Sequence, residues 1–256
     1  MMIVFFITIF GLIIGSFLNS IIYRLKVGGN IVNERSRCPS CLKTLRWFEL
    51  LPVISFIIQR CKCRSCYRLI SWQYPLVEMV VALGFVLSYL IHQTVGSEFY
   101  VLVFRDWVYI VFLVIIFVYD LKWQLILDRV TVPAMIIALF FTWGILGVEV
   151  FLWHLVAGVI AGGFFLTQFI ISRGRWIGGG DIRMGLIMGF MVGWPGILVA
   201  LFISYVLGAL ISVLIVLKAK KKWSSQIAFG TFLSFGTFIT ILYGKFIVGW
   251  YQSLIL

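Results

Sequence analysis

Two aspartates and five cysteines carry most of the chemistry that this 256-residue chain can offer. Asp181 closes the run Gly178-Gly179-Gly180-Asp181 in GGGDIRMG, between two long apolar stretches. Asp120 ends another apolar run, YIVFLVIIFVYD. An ionisable side chain at the end of a membrane segment faces a bundle interior or a water-filled cavity far more often than lipid. Two carboxylates in one such site share a proton. Such a pair can hold a water, take its proton, and protonate the leaving amine of a peptide. Gly178 and Gly180 leave room for a substrate backbone and let the chain bend ahead of a helix. Either aspartate alone would read more simply as a helix-end charge, Asp181 as an N-cap. Asp128, in LILDRVTVP, is the rival of Asp120 and looks like a capping or loop residue.

The cysteines all lie between positions 38 and 66. Cys38 and Cys41 form one C-x-x-C, Cys63 and Cys66 another, with 21 residues between the pairs. That spacing suits two knuckles presenting four thiolates to one tetrahedral zinc. A closed four-sulfur site leaves no place for water, so the metal would stabilise a small insert rather than do chemistry. Arg37, Lys43, Lys62, Arg64 and Arg68 offset the negative charge of the thiolates. A redox dithiol pair is the plainer alternative. Cys61 is spare and could replace Cys63 by a register shift.

The elements that must position these groups follow from composition. Hydrophobic residues make up 62% of the chain and charged residues 12%, and the mean hydropathy is +1.11. A soluble fold cannot hide that much apolar surface, and continuous apolar runs exclude a β-barrel. The expected class is therefore an all-α polytopic membrane protein. Eight apolar segments stand out, roughly 2–23, 76–92, 101–119, 130–147, 151–171, 183–193, 196–217 and 228–250. The sixth is too short to span alone and joins the seventh through Gly193-Trp194-Pro195-Gly196. The first lacks a basic start and a small-residue cleavage site, so it reads as a membrane helix and not a signal peptide.

Of the 21 lysines and arginines, all but Arg105 and Lys245 fall in 24–74, 120–129, 172–183 and 218–227. The positive-inside rule puts these four loops in the cytoplasm and both termini outside. The net charge of +12 is then a topology signal with an attraction to anionic lipid, and nucleic-acid binding is not expected. KAKKK at 218–222 reads as an anchor. The expected organisation is a first transmembrane helix (1–23), a cytoplasmic zinc-binding insert (24–74) and a membrane core (75–256). A cytosolic insert argues against disulfides. Within it, the apolar LLPVISFII would pack on the membrane surface or on the knuckles. Glu98, Asp106 and Glu149, near the outer face, read as solvated interfacial charges, and His92 and His154 as interfacial residues.

Together these stretches resemble the type IV prepilin peptidase family, bacterial membrane aspartic peptidases of the GxGD type. GSFLNSIIYRL (15–25), CPSC, CRSC, SWQYPLVEM (71–79), YDLKWQLILDRVTVP (119–133) and GGGDIRMG are similar to the family's motifs and occur in its order. The resemblance implies that Asp120 and Asp181 form the catalytic dyad. It implies substrates that are prepilins or competence pseudopilins, with a short basic leader, usually ending in Gly, ahead of an apolar helix. Cleavage would occur at the cytoplasmic face of the bacterial cytoplasmic membrane, in service of type IV pili, secretion or competence. Members with the cysteine insert often also methylate the new N-terminal residue, using S-adenosylmethionine. No glycine-rich nucleotide fingerprint follows a strand here, so the methyl donor rests on the resemblance alone. The sequence departs from the family pattern at Leu127, Cys61 and Arg183, where Pro, Gly and Lys are frequent. Asn19 and Glu78 match family motifs, and their plainer role is to satisfy helix contacts. Two readings compete: a transporter moving protons or cations through buried carboxylates, and a non-catalytic scaffold docking partners through its zinc insert.

Overall fold

A computed structural model describes residues 1–30, 34–93, 96–144, 147–219 and 228–255. Lys220, Lys221 and Lys222 of the basic anchor lie outside the described residues. The helices are α1 (Met2–Val27), α2 (Ile54–Ile58), α3 (Gln73–His92), α4 (Phe99–Trp123), α5 (Asp128–Gly144), α6 (Val148–Ser172), α7 (Gly179–Val192), α8 (Gly196–Ala219) and α9 (Phe229–Ile255). Each of the eight apolar segments has become one helix. Six of these, all except α5 and α7, are long and apolar enough to cross a membrane. At 17 and 14 residues, α5 and α7 fall short of the ~20 that a full span needs. The protein is thus an all-helical, multi-pass membrane protein, with six candidate spans among the described residues.

The chain divides into two compact units, Met1–Val103 and Phe104–Leu256. In the first, α1 packs along α3. Gly11 and Gly15, one turn apart, let the backbones meet: a β-carbon at either would come within 2.5 Å of an α-carbon on α3, that of Ala82 or Glu78. Small residues at four-residue spacing are the usual way membrane helices approach closely. Asn19 seals this contact, donating to the carbonyls of Gly15 and Tyr74 and accepting from Gln73 Nε2. Glu78, buried on α3, accepts from the backbone N–H of Val53 in the insert at 2.7 Å. Both residues are occupied by helix and loop contacts. The apolar stretch 50–58 turns only Phe56 inward, against the Trp72 ring at 5.0 Å.

The second unit is built around α7, which packs against α5, α6, α8 and α9. Met184, Ile187 and Met188 have no exposed surface. A short helix walled in this way needs neighbours at close range, and glycines supply it. Gly185 and Gly189 on α7 face Ala161 and Gly158 on α6, and a β-carbon at Gly189 would overlap the Gly158 backbone. Gly189→Ala is therefore expected to lower stability by about 1–3 kcal/mol through overpacking. The readout is the thermal midpoint in detergent. Gly163→Ala is the control, because its new methyl would meet nothing within 4 Å. On the far side, α4 meets α5 through Tyr109, whose hydroxyl donates to Ala138 O and whose ring lies 5.9 Å from Phe141.

One expectation fails here. Asp106 is fully buried and not solvated, and its carboxylate pairs with the neighbouring Arg105 guanidinium at 2.8 Å. A buried charge persists when it is paired. His154, likewise, is tied into the helix bundle, its Nδ1 lying 2.9 Å from Phe190 O.

Candidate active site

Asp120 sits in the last turn of α4 and Asp181 in the first turn of α7. Both are buried, at 4% and 8% exposure, and they are close enough to interact electrostatically. Each is fixed by a helix N-terminus, where the first N–H groups lack partners within the helix and favour negative charge. Asp181 Oδ2 accepts from the backbone N–H of Gly178 at 2.9 Å, closing the first turn of its own helix. Asp120 Oδ2 accepts from the backbone N–H of Thr231 at 2.7 Å and from its hydroxyl at 3.1 Å. Thr231 lies in the first turn of α9. In both carboxylates one oxygen is thus spent on orientation, and Oδ1 has no hydrogen bond among the described residues.

Glycines clear the space around the pair. Gly178, with extended backbone, leads into α7. Gly180 and Gly230 flank Ile126, from the loop between α4 and α5, and a β-carbon at Gly230 would lie 2.9 Å from Asp120 Oδ2. Asp128 is elsewhere: it opens α5, its side chain is 63% exposed, and it forms an ion pair with Arg183 of α7. The structure therefore brings Asp181 together with Asp120 and leaves Asp128 on the surface. Gly230, Thr231 and Ile126 were not singled out from the sequence. The Gly-Thr pair opening the last apolar run is an N-terminal helix signal, but nothing in it points to a residue 111 positions away.

The cysteines form a second centre. The Sγ atoms of Cys38, Cys41, Cys63 and Cys66 all lie within 4.8 Å of one another, and Cys61 is not among them. The two halves are built alike. Cys38 O accepts from Leu42 N and Cys38 N donates to Lys43 O, while Cys63 O accepts from Tyr67 N and Cys63 N donates to Arg68 O. Leu42 and Tyr67 both take positive φ, 58° and 56°. A tetrahedral zinc with Zn–S bonds of about 2.3 Å separates its sulfurs by about 3.8 Å, and Cys38 and Cys66 stand at 3.9 Å. Backbone N–H groups of Cys66 and Ser65 hold the Cys63 thiol down at about 7, while burial and the neighbouring thiols push Cys66 up to about 11, so without a metal the cluster favours one thiolate and not four. Donor set and spacing both fit zinc.

Residues 9–92 match the bacterial peptidase A24 N-terminal domain, and residues 107–213 match the type IV leader peptidase family. A prepilin leader peptidase/N-methyltransferase of Bacillus subtilis (strain 168) is 32% identical over 257 residues, covering 97% of each chain. The protein of the same name from Aeromonas salmonicida (strain A449) is 29% identical, over 97% of this chain and 93% of its own. The type 4 prepilin-like proteins leader peptide-processing enzyme of Escherichia coli O78:H11 is 28% identical over 91% of both. No solved structure matches the chain.

Proposed function

The chain belongs to the type IV leader peptidase family, and from that premise we propose that Asp120 and Asp181 are its catalytic pair. The enzyme is a peptidase that removes the short basic leader of prepilins or pseudopilins. Its site faces the cytoplasm, in the bacterial cytoplasmic membrane, because the basic loops that flank both aspartates mark that side. In this arrangement 1–23 anchors the chain, 24–74 forms the metal-holding insert and 75–256 carries the peptidase core.

The observation that carries the assignment is the shared geometry of the two carboxylates. Each has one oxygen fixed by a helix N-terminus and the other open. Two such groups bearing one proton between them position a water. The ionised carboxylate takes a proton from that water as its oxygen attacks the carbonyl carbon of the scissile bond. The protonated carboxyl hydrogen-bonds the carbonyl oxygen as charge develops there. The tetrahedral intermediate collapses by breaking the C–N bond, and a proton from the pair goes to the leaving amine. Leader acid and mature N-terminus result, and the pair again holds one proton.

Zinc on Cys38, Cys41, Cys63 and Cys66 would hold the insert in shape and take no part in hydrolysis. A second activity that the relatives' names suggest, N-methylation of the freed amine, would take its methyl group from S-adenosylmethionine and release S-adenosylhomocysteine.

The test is a cleavage assay in detergent with a substrate carrying a basic leader, Gly-Phe at the junction and an apolar helix. Wild type is expected to release the leader, and to add 14 Da to the product when S-adenosylmethionine is present. The Thr231→Val variant removes the hydroxyl hold on Asp120 but keeps the backbone one. A lost hydrogen bond to a charged group is worth about 1.5–3 kcal/mol, so cleavage should slow by about 10- to 100-fold. An unchanged rate would remove Thr231 from the site.

A further inference from the structure

If the pair cleaves peptides as proposed, the space beside it bears on which peptides fit. The loop joining α4 to α5 sends one apolar side chain between the two helix N-termini that hold the aspartates. A β-carbon at Gly180 would lie 2.9 Å from Ile126 Cβ and 3.3 Å from its Cγ1 and Cδ1. One at Gly230 would lie 2.7 Å from Ile126 Cδ1. Gly180 immediately precedes Asp181, and Gly230 immediately precedes Thr231, which grips Asp120. Ile126 therefore occupies the volume that these two glycines leave, and the same Gly230 β-carbon would lie 2.9 Å from Asp120 Oδ2. It is half-buried. Being branched at Cβ, it is stiff about χ1 and does not swing aside readily.

That position matters for any peptide brought to the pair. A productive complex holds reacting atoms about 3–3.5 Å apart. The α-carbon of the residue supplying the scissile carbonyl is one bond of about 1.5 Å from the carbon attacked. Its side chain must point into whatever lines the site at that depth. We infer that Ile126, seated between Gly180 and Gly230, is the specificity-determining residue that restricts the position before the cut to glycine. The site needs no larger machinery for this. Two glycines hold a rigid side chain beside the dyad, and a substrate methyl group would have to share the space it fills. Pockets separate substrates differing by one methylene by about 10- to 200-fold.

The experiment compares kcat/KM on substrates that differ only at that position, carrying Gly, Ala or Ser. It uses the full-length enzyme as wild type, Ile126→Ala and Ile126→Val. Wild type is expected to favour Gly over Ala by at least tenfold. The Ile126→Ala variant should raise the Ala-to-Gly ratio at least tenfold, and Ile126→Val by a smaller factor, whatever happens to the Gly rate itself. A side chain that only supported the fold would lower all three rates together and leave the ratio alone. A ratio within twofold of wild type in both variants overturns the inference. So does loss of all cleavage in both, because that would make Ile126 a support of the dyad. A wild type that fails on the Gly substrate sinks the peptidase assignment itself, an outcome distinct from the other two.

Discussion

Asp120→Asn and Asp181→Asn are each expected to slow leader release by at least about a thousandfold. General acid–base groups contribute about 10²–10⁴-fold, and in the proposed mechanism one pair performs both halves of the proton transfer. The substitution is isosteric. An asparagine oxygen can still accept from Thr231 or Gly178, so helix positions and membrane insertion should be unchanged. What is lost is the capacity to exchange a proton with water. The two groups act as one unit, so the double variant should be no slower than the slower single variant. The measurement is single-turnover cleavage by mass spectrometry, with protein yield and thermal midpoint as controls. Normal cleavage by both variants would end the dyad account. Zinc binding and partner capture that survive both substitutions would then favour the scaffold, and Asp181-dependent flux in proteoliposomes would favour a transporter.

The second large effect concerns the cysteine insert. Among the described residues of 34–72, only Cys38, Phe56 and Cys63 are buried. Three side chains cannot hold so long a stretch against its conformational entropy. Two of the three are metal-ligand candidates, so a metal held there would serve as the core. Structural zinc sites contribute apparent binding energies of about 10–16 kcal/mol. Cys38→Ser or Cys66→Ser should abolish bound zinc, about one per chain in the wild type by elemental analysis, and open 34–72 to protease. A strong chelator should do the same to the wild type. Cys61→Ser should change neither, since it stands outside the four-sulfur cluster. Full zinc content in Cys66→Ser, or protection without metal, would refute this account.

Much of this was legible in the sequence, for reasons that differ by element. The eight helices could be read because each apolar run is continuous and sharply bounded, and lipid imposes that pattern locally. The cysteine cluster could be read because each knuckle is a self-contained turn, the same backbone pattern closing at Leu42 and at Tyr67. Asp181 announces itself through its glycines. The grip on Asp120 could not be read, because it comes from a backbone N–H, which every residue but proline has, and from a threonine hydroxyl 111 positions away that nothing in the sequence pairs with it. Nor could the burial of Asp106, because the helix packing around it is set elsewhere in the chain. Ile126 looks like any loop isoleucine until Gly180 and Gly230 are found on either side of it.

The bond from Thr231 to Asp120 also has a bearing on how the enzyme is made. Asp120 leaves the ribosome 111 residues before the group that orients it. Helices α4 to α8 can be threaded into the bilayer while this carboxylate still lacks its backbone donor. If Asp120 and Asp181 are the catalytic pair, a nascent chain is a protease in parts until α9 is inserted, and proteolytic competence arrives with the last helix. A translation product arrested before Phe229 would carry both aspartates and the metal insert and still be without a formed site.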